Sequence, residues 1–194
     1  MLFSLPNILT YMRILFIPLM IICLFIDQDS LVLRMTAFIL YALSGITDFF
    51  DGWLARRMNL QSTIGKMLDP IADKLLIAMT LMVLIHTQDI SGIHTIAALI
   101  ILCREILVSG LREFLASTSV SLPVSFLAKC KTTLQIFALG FLVIGPAYIW
   151  VHPAIPSHMI GLLLLWASAL ITVYTGYDYI KSSVNYAVSC DNNQ

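Results

Sequence analysis

TDFFDGWLARRMNLQSTIGKMLDPIADKLL, Thr47 to Leu76, places four aspartates (Asp48, Asp51, Asp69 and Asp73) in a chain that is 59% hydrophobic and 11% charged. With a mean hydropathy of +0.92, such a chain cannot cover itself with polar groups as a water-soluble domain does. Lipid is therefore its expected solvent, and the aspartates need a reason to be there. The formal net charge is zero, which argues against nucleic acid as a partner.

Working outward from that stretch, apolar runs long enough to cross about 30 Å of hydrocarbon recur near residues 5–26, 33–54, 65–85, 93–115, 132–151 and 158–180. Backbone groups in lipid must pair internally, so these runs should be helices. The expected fold is an all-α integral membrane protein. It is a single domain over residues 1–194, a bundle of six transmembrane helices with a short interfacial helix ahead of the first span.

Arg56, Arg57 and Lys66 lie in or beside the connection between helices two and three. Lys129 and Lys131 end the connection between four and five, and Lys181 follows helix six. The opposite connections lack Lys and Arg, and Arg34 is the one dissenting charge. The positive-inside rule then puts both termini and the Asp-rich segment on the cytoplasmic side of the inner membrane. The N-terminus lacks a basic n-region and a small-residue cleavage site and is expected to be retained. The four cysteines show neither zinc spacing nor a disulfide framework. His86, His94, His152 and His158 fall near the far-side connections and read as solvated loop residues. The polar tail from Ser182 reads as partly disordered.

Asp48 and Asp51 are three apart near the end of helix two, and Asp69 and Asp73 four apart at the start of helix three, so each pair shares a helix face. Gly52, Ala55 and Gly65 lie one turn away and leave room for close approach. Pro70 frees a backbone carbonyl beside them. An aspartate at membrane depth costs about 2.5–3.5 kcal/mol, so positive charge must balance the four. One alternative is a salt-bridged cluster with Arg56, Arg57, Lys66 and Lys74. The other is a pair of divalent cations, Mg²⁺ or Mn²⁺, on hard oxygen ligands. A dinuclear site of that kind clamps the oxygens of a phosphoryl displacement, which points to a pyrophosphate-linked substrate reached at the membrane surface.

The spacing D-x2-D-G-x2-A-R-x8-G-x3-D-x3-D, filled here by Asp48, Asp51, Gly52, Ala55, Arg56, Gly65, Asp69 and Asp73, resembles the signature of the CDP-alcohol phosphatidyltransferases. The resemblance implies a six-helix homodimer with a cytoplasm-facing cavity. It implies one metal on Asp48, Asp51 and Asp69 and a second on Asp48, Asp69 and Asp73, with Asp73 as general base. Gly52 and Ala55 would make room for cytidine, and Arg56 and Ser62 would contact the CDP-lipid. The reaction implied moves the phosphatidyl group of CDP-diacylglycerol to an acceptor hydroxyl, releasing CMP.

Basic residues away from the signature bear on the acceptor. Arg104 and Arg112 are eight apart and roughly on one helix face, with Lys129 and Lys131 nearby in sequence. Converging cations suit an anionic acceptor such as a phosphate monoester, although Arg104 could be neutralised by Glu105. "PNILTYMRI", "LDPIADK" and "REILVSGLRE" resemble the branch of the family that uses sn-glycerol 3-phosphate. That branch implies Asn7 and Thr10 near the nucleotide, and Arg104, Arg112, Lys129 and Lys131 around the acceptor phosphate. Inositol phosphate or serine is the alternative acceptor. In other classes, a divalent-cation transporter should carry acids along several helices, and a prenyltransferase should show a second Asp constellation.

Overall fold

The computed structural model describes residues 5–58, 63–117, 126–145 and 156–191. Among them are six helices and no strand: α1 Leu5–Ile26, α2 Leu31–Met58, α3 Thr63–His86, α4 His94–Ser117, α5 Phe126–Ile144 and α6 Ser157–Asp191. Four contain stretches long and apolar enough to cross a membrane: Asn7–Ile26, Leu31–Asp48, His94–Arg112 and Ser157–Lys181. In α3 the charges of Lys66, Asp69, Asp73 and Lys74 interrupt the apolar run, and in α5 the apolar stretch is the shorter Cys130–Ile144. Large apolar side chains such as Leu15, Phe25, Val32, Leu163 and Leu170 point outward. A bundle in water would turn polar groups there, so the exterior is that of a membrane protein.

Helix α1 packs against both α2 and α3, while α2 and α3 barely touch each other. Helix α6 packs against α4 and α5, and α5 closes the bundle against α2 and α3. Ile17, Met20 and Leu24 of α1 meet Leu81 and Leu84 of α3, Leu139 and Leu142 of α5 and Leu165 of α6 in one continuous core. Gly161 lets α6 approach α5 closely, because a Cβ there would stand 2.8 Å from Cγ of Leu142.

Several boundaries differ from the sequence expectation. Helix α5 starts at Phe126, so Lys129 and Lys131 lie within its first turns rather than ending a connection. Nothing between Phe126 and Lys131 breaks a helix, and Pro123 is the last breaker upstream. The tail expected to be disordered instead extends α6 to Asp191, since neither Gly nor Pro interrupts it after Gly176. Residues 5–26 form one continuous helix through Pro18.

The end of the bundle away from the aspartates has its own polar cluster. Arg34 is buried and donates to both oxygens of Asp89, at 2.9 and 3.2 Å, and to the Gln28 carbonyl. Thr87 Oγ1 donates to Asp89 Oδ2 at 2.6 Å. Arg34 is thus an internally neutralised residue. The described histidines there lie at helix ends rather than in loops, and each has a partner. His158 Nε2 donates to the Asp89 carbonyl at 2.8 Å, His94 Nδ1 accepts from Trp166 Nε1 at 3.0 Å, and His86 stacks on Phe25. His152 lies outside the described residues.

Candidate active site

The aspartate faces are set by local helix geometry. Because α2 is unbroken through Met58, Asp48, Asp51 and Gly52, and then Ala55 and Arg56, follow one another at one-turn intervals. Because α3 is unbroken from Thr63, Gly65, Asp69 and Asp73 align at i, i+4 and i+8. What brings the two faces together is α1. Arg13, fully buried, donates from one nitrogen, Nη1, to Asp48 Oδ1 at 2.6 Å and to Asp73 Oδ1 at 2.7 Å. Three residues earlier, Thr10 Oγ1 donates to Asp69 Oδ1 at 2.8 Å. Asn7, Thr10 and Arg13 recur every three residues and are all buried, so they form one polar stripe aimed at the carboxylates.

Arg13 is the one charged residue of α1. A signal was present, since an arginine eight residues into an apolar helix at a cost of about 2.5–3.5 kcal/mol needs a carboxylate partner. The cationic partner seen is therefore Arg13, and not Lys74, whose Nζ turns to Ser109 Oγ of α4.

Asp48 and Asp73 keep about half of their side-chain surface open, at 43% and 51%. Asp48, Asp69 and Asp73 meet here, and among the described side chains the cation against them is Arg13, paired with Asp48 and Asp73. Clustered carboxylate oxygens are hard donors that fit divalent cations of the magnesium type. With Arg13 between Asp48 and Asp73, no three acidic, His or Cys side chains among the described residues converge on a single metal position. The side chains of Asp51, Ala55, Arg56 and Lys129 lie outside the described residues, as does Ser62 entirely; Gly52 is placed only by its position on α2. Gly65 is buried on α3.

A second cluster forms at the same end of the bundle from α4, α5 and α6. Lys131 Nζ donates to Glu105 Oε1, and Arg104 Nη1 lies 3.5 Å from the same oxygen. Arg104 Nη2 donates to Thr175 Oγ1 at 3.2 Å, and its stem lies against Gly176, where a Cβ would stand 3.2 Å from Arg104 Cγ. Arg112 Nη2 donates to Tyr179 Oη at 2.9 Å. Both guanidinium carbons also stand over the Tyr179 ring, at 5.7 Å for Arg104 and 5.2 Å for Arg112. Arg104, Arg112 and Lys131 are thus brought together. Tyr179 is the ring that both arginines share. Among the described residues, the ion pairs of this cluster run from Arg104 and Lys131 to Glu105, and such a gathering of cations favours an anion. The Lys74–Ser109 bond ties α3, one residue past Asp73, to α4 between Glu105 and Arg112.

Residues 3–174 match the family described as CDP-alcohol phosphatidyltransferase. The chain belongs to this family. As a CDP-alcohol phosphatidyltransferase it is a transferase, and its relatives sharpen the comparison. It is 48% identical over 183 residues to a protein of Rickettsia bellii (strain RML369-C), covering 94% of this chain and 97% of that one. It is 47% identical, with the same coverage, to a protein of Rickettsia prowazekii (strain Madrid E). To a protein of Salmonella choleraesuis (strain SC-B67) it is 35% identical, covering 93% and 95%. All three relatives are named CDP-diacylglycerol–glycerol-3-phosphate 3-phosphatidyltransferase.

Proposed function

We propose that this CDP-alcohol phosphatidyltransferase moves the phosphatidyl group from CDP-diacylglycerol to sn-glycerol 3-phosphate, giving phosphatidylglycerophosphate and CMP. The observation that carries this reading is a pairing of opposites at one end of the bundle. A carboxylate cluster suited to cations and a basic cluster suited to a phosphate stand there, linked through Lys74 and Ser109. The names of the relatives agree with it.

Asp48, Asp51, Asp69 and Asp73 would hold two divalent cations, Mg²⁺ or Mn²⁺, whose charge neutralises the donor pyrophosphate and polarises its phosphorus. Asn7, Thr10, Gly52, Ala55, Arg56, Ser62 and Gly65 would form the donor side. Arg104, Arg112, Lys129 and Lys131 would take the acceptor phosphate. Asp73 accepts the proton of the acceptor hydroxyl. The freed oxygen then attacks the lipid-side phosphorus, and the bond to the CMP oxygen breaks. The half-open surface of Asp73 leaves it accessible to such a hydroxyl.

The donor also needs somewhere for its hydrocarbon. Between α2 and α5 lies an apolar groove of about 830 Å³, lined by Phe38, Tyr41, Gly45, Ile46, Phe50, Phe137 and Gly140 among others. From Phe38 to Phe50 it follows α2 for about 18 Å, a length close to one bilayer leaflet, roughly 15 Å of hydrocarbon. Its lining residues Ile46 and Phe50 stand on either side of Asp48 in the sequence of α2. Tyr41 turns its hydroxyl inward to the Ile136 carbonyl at 3.0 Å and presents only its ring. The groove therefore suits the acyl chains of the donor. All six helices cross the inner membrane in this reading, with the first turns of α1 at the interface, the site facing the cytoplasm, and two chains forming a homodimer.

The test is CMP release from CDP-diacylglycerol by the purified protein in detergent, with Mg²⁺ or Mn²⁺. Release that requires both metal and glycerol 3-phosphate is expected. Equal release with inositol phosphate or serine would overturn the acceptor assignment.

A further inference from the structure

Buried hydroxyls inside this bundle mostly satisfy themselves. Thr80 Oγ1 donates to the Leu76 carbonyl, Ser168 Oγ to that of Leu165 and Thr175 Oγ1 to that of Ile171, at 2.6–2.9 Å. Such back-bonding is the default for Ser and Thr in a helix without water. Two fully buried side chains depart from it. Gln135 of α5 has a partner for neither Oε1 nor Nε2 among the described residues, and Thr172 of α6 has none for Oγ1. Arg104 Nε is likewise unpartnered among them, although its two terminal nitrogens are engaged.

These orphan groups share a neighbourhood. Gln135 is one turn past Lys131 on the inward face of α5. Thr172 is three residues before Thr175, which accepts from Arg104. Helices α5 and α6 run antiparallel, with Ser157 bonded to the Gly145 carbonyl and Gly161 against Leu142. Extending that register sets Thr172 level with Lys131 and Gln135 one turn deeper. The unpartnered atoms therefore line the membrane side of the Arg104–Glu105–Lys131 cluster.

We propose that Gln135 and Thr172, together with Arg104 Nε, bind a hydroxyl of the acceptor beneath its phosphate, so that the site selects a polyol phosphate. This inference rests on the reaction proposed above. An amide and a hydroxyl each donate and accept, which matches a hydroxyl ligand. A second phosphate would call for donors alone, and an ammonium for acceptors alone. A buried site built to hydrogen-bond a hydroxyl discriminates strongly against an analogue that lacks it, because its own polar groups then stay unpaired.

The experiment compares kcat/KM for glycerol 3-phosphate and for propane-1,3-diol monophosphate, which lacks only the central hydroxyl, in wild type, Gln135→Leu and Thr172→Val. Wild type should prefer glycerol 3-phosphate by roughly tenfold or more. Each variant should lose that preference by slowing with glycerol 3-phosphate alone, while KM for CDP-diacylglycerol and the melting temperature stay as in wild type. Thr172→Val is nearly isosteric and carries the comparison if Gln135→Leu does not fold. Wild type that turns over both phosphates equally, or variants that lower both alike, would overturn the inference. Folded wild type releasing no CMP with either phosphate would overturn the reaction itself, and this inference with it.

Discussion

Replacing Arg13 with methionine removes a charge from the centre of the carboxylate cluster while keeping an unbranched side chain of similar length. One Arg13 nitrogen touches Asp48 at 2.6 Å and Asp73 at 2.7 Å, so those two oxygens are separated by no more than the sum of the two distances. Two unit charges about 5 Å apart repel by about 3 kcal/mol at an effective dielectric constant near 20. Both carboxylates are about half open to solvent, and screening brings this to roughly 1–2 kcal/mol. Arg13→Met should therefore melt earlier than wild type in chelator. It should also gain more from added Mg²⁺, with the half-maximal concentration shifting down by roughly 5- to 30-fold, because the competing cation is gone. The assay is a thermal melt in detergent over a Mg²⁺ titration. If the variant melts like wild type in chelator and shows the same Mg²⁺ midpoint, Arg13 does not neutralise the cluster and the electrostatic reading of the site fails.

Three other substitutions probe separate parts of the molecule. Asp73→Asn should leave the melt in chelator near that of wild type and lower CMP release by roughly 10² or more, the contribution of a general base; turnover at the wild-type rate would remove Asp73 from that role. At Gly45 a new Cβ meets nothing within 4 Å, so Gly45→Leu should fill the groove without strain. It should raise KM for long-chain CDP-diacylglycerol severalfold and leave a short-chain donor unaffected, and equal effects on both would argue against acyl chains in the groove. At the other end, Asp89→Leu strands Arg34 in a buried site. It should cost about 3–5 kcal/mol of stability, read as a lowered melting temperature, with KM for both substrates unchanged in the protein that stays folded.

The pairing of the aspartates along their helices was legible because it is written in local spacing. Three- and four-residue intervals mean one face on any helix, so Asp48 with Asp51, and Asp69 with Asp73, could be paired without coordinates. The same holds for Arg104 and Arg112, which meet over a single tyrosine as their spacing implied. Helix ends were less legible. Lys129 and Lys131 looked like loop residues because apolar content falls there, yet helix formation depends on the absence of breakers as much as on hydropathy.

The sequence by itself determined that lipid surrounds this chain, that helices cross it, and that four aspartates gather at one end of two of them. All of that follows from composition and from a period of 3.6 residues. Tertiary structure decided what joins the pieces. Helix α1 inserts between α2 and α3, so that Arg13 and Thr10 meet carboxylates about sixty positions away. The Arg34–Asp89 pair and the orphan Gln135 and Thr172 likewise take their meaning from neighbours on other helices. No spacing within one helix encodes which other helix its buried polar group will face, because that choice is made by packing of the whole bundle.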